Sequence, residues 1–123
     1  MSNKLITSLR KCITSFTFAK KGLTHVVLNE NNFNYHIIAT FIVLVIAYIL
    51  NLNNYEWIIL ILIIGMVYIA EVFNTAIEKL VDLLSPQYNP KAGLIKDIAA
   101  GGVLVASIFA VITGLILFLG KIF

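Results

Sequence analysis

The sequence contains one cysteine, Cys12, only two prolines and few charged residues. A single cysteine excludes a disulfide-stabilised scaffold. Charged residues make up 12% of the 123 residues, about half the share usual in soluble domains, whereas 60% are apolar and the mean hydropathy is +0.97. One domain of this length cannot bury so many apolar side chains in a single core. A soluble globular monomer is therefore excluded, as are a disordered and a collagen-like chain.

Charged residues are absent from three long stretches of the chain. None occurs between Glu30 and Glu56, between Glu56 and Glu71, or within residues 98–120. A helix needs about 20 residues to cross the hydrocarbon core. The third stretch is long enough alone. The aliphatic run 37–50 of the first stretch reaches this length with residues 33–36, and the second stretch reaches it by continuing past Glu71 to Leu84. We therefore predict one all-α membrane domain covering residues 1–123, with transmembrane helices at 33–51, 56–84 and 96–119.

The basic residues are distributed unevenly around these spans. Five of the nine lie in the first 21 residues and three lie near the second connection, whereas residues 51–56 contain no Lys or Arg. The positive-inside rule then predicts a multi-pass protein of the cell membrane. Its N-terminus and the 85–95 loop are expected in the cytoplasm, and the 51–56 turn and the C-terminus outside. Only Lys121 opposes this orientation, and no cleavable signal peptide is recognisable.

The segment before the first span alternates apolar residues with Lys, Arg, Ser and Thr at near-helical spacing. This pattern predicts that residues 1–30 form an amphipathic helix on the cytoplasmic membrane surface, with its basic side toward lipid phosphates. The alternative is a basic tail that only sets the topology.

Four polar residues share one side of the second span: Glu71, Asn74, Glu78 and Asp82. At 100° per residue they occupy a stripe about 80° wide. A carboxylate at membrane depth costs a few kcal/mol, so such residues usually face a protein interior or a polar site. The alternative is a solvated face, because Glu78 and Asp82 lie near the cytoplasmic end.

Four further polar residues have ordinary interpretations when taken without their context. Lys96 and Asp97 open the third span and could form an interfacial ion pair, although they follow the carboxylate stripe across a short loop. Glu30 resembles an exposed surface residue. His36, at the start of an apolar span, is expected to be an interfacial residue rather than a ligand or proton relay.

The common catalytic sequence motifs are missing, including a P-loop and a His/Cys metal set. Paired carboxylates at a membrane surface suit divalent-metal binding or general-base chemistry. With Lys96 to balance phosphate charge, the same residues could serve phosphoryl transfer, which needs metal, positioning and a proton acceptor.

Two segments resemble the small integral-membrane diacylglycerol kinase family of bacteria. They are Glu71-Val-Phe-Asn-Thr-Ala-Ile-Glu78 with Asp82, and Lys96-Asp97-Ile-Ala-Ala-Gly-Gly. The likeness covers nearly the whole chain, and the segment at residues 86–90 looks more like the undecaprenol kinase branch. The resemblance implies a homotrimer that uses ATP and Mg²⁺ to phosphorylate a membrane lipid alcohol, and it implies no nucleic-acid partner.

The resemblance also implies roles for individual residues. Glu71 would be the catalytic base, and Asn74 would help to organise the catalytic site. Glu30 and Glu78 would bind magnesium and nucleotide. The remaining implied nucleotide contacts are Lys11, Gln87, Tyr88, Asn89, Lys96 and Asp97. Two positions depart from the family pattern: its N-terminal arginine falls at Lys11, one residue after Arg10, and a serine of some members is Ala100 here.

We therefore predict a lipid kinase that converts undecaprenol to undecaprenyl phosphate. The alternative substrate is diacylglycerol, with phosphatidic acid as the product. A proton- or cation-coupled transporter is a second class, because buried acids also mark ion pathways. Such a transporter needs a charge near mid-membrane, whereas every acid here is expected at the end of a span.

Overall fold

The computed structural model describes residues 2–123, so residue 1 of the expected surface segment lies outside the description. The described chain folds into four α-helices: α1 Ser2–Asn29, α2 Asn31–Ile49, α3 Asn54–Leu84 and α4 Pro90–Ile122. The all-helical fold predicted from the sequence is confirmed.

Three of these helices, α2, α3 and α4, are long and apolar enough to cross a membrane. They correspond to the three predicted spans, with ends that differ by a few residues. At 1.5 Å per residue, the 31 residues of α3 extend about 46 Å, well beyond a hydrocarbon core of about 30 Å. One end of α3 must therefore project out of the hydrocarbon.

The connection between α3 and α4 is shorter than the sequence predicts. We expected a loop over residues 85–95, but α4 already begins at Pro90. Asn89 caps the helix by accepting a hydrogen bond from the Lys91 backbone N–H at 3.0 Å. Proline suits the first helical position because its ring fixes a helical φ and the missing N–H has no intrahelical partner there.

The connection between α2 and α3 is a tight turn at residues 50–53. Asn51 adopts a φ of 53°, a left-handed conformation that asparagine tolerates better than most residues. The Asn53 side chain accepts from the Glu56 backbone N–H at 3.0 Å, and Glu56 Oε2 accepts from the Asn53 N–H at 2.7 Å. This reciprocal cap starts α3 directly after the turn. Glu56 also pairs with Lys121 at the far end of α4, at 2.8 Å.

The small apolar core lies beside this turn. Ala47, Leu52 and Leu60 are buried against one another and mark the α2–α3 interface. By contrast, α4 contains no buried residue although it packs along α3. In α1, Val26 is the only buried residue among those described. Most apolar side chains of the single chain therefore remain available to lipid or to other protein surfaces.

Candidate functional site

The C-terminal half of α3 carries the buried polar side chains of the described chain. Glu71 is 5% exposed, Asn74 is 6% exposed and Thr75 is 5% exposed. Burying polar groups is costly unless they are hydrogen-bonded or bind a ligand. Their concentration within two turns of one helix therefore marks a candidate site.

Glu71 is paired with a histidine from α2. His36 Nε2 lies 2.8 Å from Glu71 Oε1. The hydroxyl of Tyr68, one turn before Glu71, donates to the His36 backbone carbonyl at 3.3 Å and contacts Thr40 Oγ1 at 2.8 Å. The Tyr68 ring also packs on Phe33, with ring centroids 5.2 Å apart. These contacts fix α2 against α3 at the level of the carboxylate.

Asn74 joins Glu78 one turn further along α3. The Asn74 amide Nδ2 donates to Glu78 Oε1 at 3.0 Å. Asn74 Oδ1 is buried and is the one buried side-chain N or O atom in the described chain without a hydrogen-bond partner. An acceptor left in this state costs about 1–3 kcal/mol. The atom is therefore free to accept from a ligand or to bind a cation.

The junction of α1 and α2 reaches the same part of α3. Glu30, which precedes α2 as its N-cap residue, lies 3.0 Å from Lys79 Nζ. Glu30 is therefore not the isolated surface residue that its local sequence suggested. Lys79 follows Glu78 in the chain, so the ion pair brings Glu30 to the level of Glu78 along α3.

The start of α4 contributes a lysine that faces the carboxylate stripe. Lys96 Nζ forms an ion pair with Asp82 Oδ1. Lys96 therefore pairs across the connection and not with its neighbour Asp97, which is exposed. A mobile ammonium group near exposed carboxylates is well suited to exchange its partner for a phosphate.

The other residues expected to contact nucleotide lie outside α3, in the α3–α4 connection and on α1. Gln87, Tyr88 and Asn89 lie in the exposed connection that adjoins Lys96, and Tyr88 is 94% exposed. Lys11 lies on α1, about 27 Å of helical rise from Asn29. Within the described residues, no hydrogen bond or ion pair joins the Lys11 side chain to the groups on α3.

The position of Glu71 along α3 bears on its access to lipid. Glu71 is about 26 Å of helical rise from Asn54, and Glu78 is about 36 Å from it. With Asn54 at one membrane boundary, a hydrocarbon core of about 30 Å ends between these two carboxylates. Glu71 would then lie just inside the boundary and Glu78 just outside it.

An apolar cavity of about 390 Å³ lies between α2, α3 and α4. It follows about 17 Å of α4, from Ser107 to Phe118. His36 is part of its lining, so the residue that contacts Glu71 also borders this cavity. The cavity therefore runs from the candidate site into the apolar part of the helix bundle.

The residues expected to bind magnesium carry suitable oxygen ligands, but these are too few to complete the coordination of the ion. Within residues 2–123, no group of three or more His, Cys, Asp or Glu side chains is arranged to hold a metal ion. Mg²⁺ commonly takes one or two carboxylates and completes its coordination with phosphate oxygens and water. Glu30, Glu78 and the unpartnered Asn74 Oδ1 carry oxygen atoms of the kind that Mg²⁺ prefers, and Glu30 is paired with the Lys79 ammonium.

Sequence reasoning missed three residues of this region: His36, Thr75 and Lys79. His36 was expected to be an interfacial residue, because nothing in a lone histidine indicates which helix will face it. Its spacing offered one usable signal, since Phe33, His36 and Thr40 recur on one face of α2.

Comparison with known proteins shows which family the sequence belongs to. The family model for prokaryotic diacylglycerol kinase matches residues 17–118. Undecaprenol kinase of Bacillus subtilis (strain 168) is 38% identical over 114 residues, which cover 93% of each chain. Diacylglycerol kinase of Escherichia coli (strain K12) is 34% identical over 111 residues, covering 90% of this chain and 91% of its own.

A third relative, diacylglycerol kinase of Synechocystis sp. (strain ATCC 27184 / PCC 6803 / Kazusa), is 38% identical over 103 residues, which cover 83% of this chain and 59% of the relative. The family resemblance noted from the segments at Glu71 and Lys96 is thereby confirmed over most of the chain. The chain belongs to the prokaryotic diacylglycerol kinase family.

Proposed function

We propose that this chain transfers the γ-phosphoryl group of ATP to the hydroxyl of a membrane lipid alcohol, and that undecaprenol is its substrate. Membership of a lipid kinase family supports the reaction class. The identity of 38% over 93% of both chains to an undecaprenol kinase supports the choice of lipid. Diacylglycerol is the alternative acceptor, because the E. coli relative is a diacylglycerol kinase at 34% identity.

One observation carries the proposal: a buried carboxylate near the expected membrane boundary, with charged groups beyond it. Glu71 is buried against His36, and the Glu30–Lys79 and Asp82–Lys96 pairs lie further along α3. A lipid hydroxyl is anchored just below the headgroups, whereas ATP remains in water. The reaction therefore needs a base inside the boundary and phosphate-binding groups outside it.

The chemistry assigned to Glu71 is removal of the hydroxyl proton. As the lipid oxygen forms its bond to the γ-phosphorus, the bond from phosphorus to the β,γ-bridging oxygen breaks and ADP leaves with that electron pair. Glu71 Oε2 accepts the proton, while Oε1 stays hydrogen-bonded to His36. Such general-base assistance contributes about 10²–10⁴-fold to the rate.

The remaining polar residues are assigned to ATP and its cation. Glu30 and Glu78 would hold Mg²⁺, which supplies charge neutralisation of the transferring phosphoryl group when bound. Asn74 orients Glu78 through its amide and offers Oδ1 toward the same region. Lys96 exchanges Asp82 for a phosphate oxygen, and the exposed 87–89 segment with Asp97 borders the nucleotide.

Assembly as a homotrimer is part of the proposal. The absence of any buried residue in α4 supports self-association, since the apolar side chains of this 33-residue helix all stay at least partly exposed in one chain. Gly102, like the other six glycines, has open space where a Cβ would lie, with no atom within 4 Å. A small residue with open space on a membrane helix allows a second helix to approach closely. A neighbouring chain could also supply the N-terminal basic group that Lys11 does not bring to its own site.

The proposed orientation has the N-terminus and the 85–89 connection in the cytoplasm, where ATP is available. The proposed place for α1 is the cytoplasmic membrane surface, because its apolar residues other than Val26 are exposed in the single chain and lie among lysines. This arrangement directs Glu78, Asp82 and Lys96 toward the nucleotide. It also leaves Glu56 and Lys121 at the opposite membrane face.

The lipid is tested with purified full-length protein in mixed micelles containing Mg²⁺ and γ-labelled ATP. Undecaprenol and diacylglycerol are offered separately at matched mole fractions, and the labelled lipid is separated and counted. We expect kcat/KM to be at least about tenfold higher for undecaprenol, a difference of about 1.4 kcal/mol in transition-state stabilisation. A preference for diacylglycerol would reverse the lipid assignment, and transfer to neither lipid would overturn the kinase proposal.

A further inference from the structure

We propose that His36 is a positioning residue, which holds the Glu71 carboxylate in the orientation needed to accept the proton of the lipid hydroxyl. This inference rests on the proposed function. The residues that carry it lie at one level of the α2–α3 interface: Phe33, His36 and Thr40 on α2, with Tyr68 and Glu71 on α3.

The first step concerns which atom donates. An ionised carboxylate can only accept hydrogen bonds, so the contact of 2.8 Å between His36 Nε2 and Glu71 Oε1 requires a proton on Nε2. That hydrogen bond occupies one carboxylate oxygen. It leaves Oε2 as the oxygen for the substrate and fixes rotation about the last side-chain bond of Glu71.

The second step is that His36 is itself held in place. The Tyr68 hydroxyl contacts both the His36 carbonyl and Thr40 Oγ1, and the Tyr68 ring packs against Phe33. Tyr68 precedes Glu71 by three residues, so both side chains leave the same face of α3. The imidazole therefore reaches Glu71 from a fixed segment of backbone, as a residue that orients a catalytic group must.

The third step connects this contact to the substrate. His36 lines the apolar cavity between α2, α3 and α4, and its side chain retains 27% of its exposure, whereas that of Glu71 retains 6%. His36 therefore contacts both the apolar cavity and the carboxylate. A lipid hydroxyl that approaches from the cavity meets Glu71 beside the imidazole, where a small rotation of the carboxylate would misplace the base.

The test compares three substitutions at His36 in the full-length protein. His36→Leu removes the donor at similar volume. His36→Gln places an amide N–H near the former Nε2 position, and His36→Asn places it nearer the former Nδ1 position, too far from Glu71. A positioning role predicts that His36→Leu and His36→Asn lower kcat about 10- to 100-fold, with KM for ATP and lipid changed less than about twofold. His36→Gln should recover at least about a third of wild-type kcat.

A double substitution distinguishes an effect through Glu71 from a general loss of packing. In a Glu71→Gln background the base is already absent, so adding His36→Leu should change kcat by less than about twofold. The matched control is the other histidine, His25, which is exposed on α1 and contacts Asn29. His25→Leu should leave kcat, KM and oligomer size unchanged.

The outcomes separate this inference from the proposed function. An active wild type whose His36→Leu variant keeps more than half of its kcat would overturn the role of His36 alone. That role is also overturned if the loss appears in KM for lipid, or if His36→Gln is no better than His36→Asn. A wild type that phosphorylates no lipid alcohol would overturn the proposed function and this role together.

Discussion

Lys79 Nζ lies 3.0 Å from Glu30 Oε1, so an ammonium group already occupies the space beside one of the two carboxylates assigned to magnesium. Lys79 is half exposed, and an ion pair of this kind contributes little to stability. The Lys79 ammonium can therefore be displaced by a divalent cation. In the proposed function it would balance the charge of Glu30 until Mg²⁺ and nucleotide bind.

This relationship gives a prediction for the magnesium dependence of activity. Glu78→Gln and Glu30→Gln should each raise the Mg²⁺ concentration for half-maximal activity by about tenfold or more, because a neutral amide is a poorer ligand for a hard cation. Lys79→Met should lower this Mg²⁺ concentration, because it removes the ammonium group that competes with the cation. The measurement is a Mg²⁺ titration at saturating lipid and fixed ATP.

Glu56 provides the matched control for this titration, since it is a carboxylate at the opposite end of α3. Glu56→Gln should leave the Mg²⁺ requirement unchanged. If Glu30→Gln and Glu78→Gln both gave the wild-type titration, neither residue would belong to the metal site.

Glu71→Gln should lower turnover by about 10²–10⁴-fold, the usual contribution of a general base. The amide keeps the shape of the side chain and can still accept from His36, so nucleotide affinity and oligomer size should stay close to wild type. The measurement is kcat with undecaprenol, together with ATP binding to the purified variant. Retention of more than about a tenth of wild-type turnover would reject Glu71 as the base and make Asp97 the next candidate.

The roles of Lys96 and Asp82 can be distinguished by two substitutions, each of which breaks the ion pair between them. Lys96→Met should raise KM for ATP by about tenfold or more, because a charge-assisted hydrogen bond to phosphate is worth about 1.5–3 kcal/mol. Asp82→Asn should change KM by less than about twofold, since it leaves the ammonium group in place. Equal effects of the two substitutions would mean that the ion pair supports the helix connection and does not bind nucleotide.

The orientation is tested with a reporter fused after Phe123. An odd number of spans and a cytoplasmic N-terminus place the C-terminus outside, so a reporter that works only outside the cytoplasm should be active there. The same reporter inserted at Asn89 should be inactive. An active cytoplasmic reporter after Phe123 would reverse the topology and separate the carboxylate stripe from ATP.

The helical fold was predictable because the charge-free stretches are long and few structures can span a membrane. The carboxylate stripe was also predictable, because residues separated by three and four positions share a helix face whatever surrounds the helix. The early start of α4 at Pro90 was not predictable from the sequence. The same proline that disfavours helix in the residue before it is a favourable first residue of the next helix, and the local sequence allows both interpretations.

Contacts between helices were the part of the site that the sequence predicted least well. The pairing of Glu30 with Lys79 and of His36 with Glu71 depends on how α2 is rotated against α3. The sequence does not reveal this rotation, because a membrane helix carries apolar residues on every face. The pairing of Lys96 with Asp82 was easier to anticipate. Only a short connection separates these residues, so the turn limits where the lysine can reach.

The Glu56–Lys121 pair has a consequence for biogenesis in the proposed orientation. Both side chains must cross the bilayer during insertion, and isolated charges cross at a cost of a few kcal/mol each. Synthesis proceeds from the N-terminus, so Glu56 arrives with the tip of the α2–α3 hairpin before Lys121 emerges. In the proposed orientation, Lys121 then meets a carboxylate already in position, which favours translocation of the end of α4 over its retention on the cytoplasmic side.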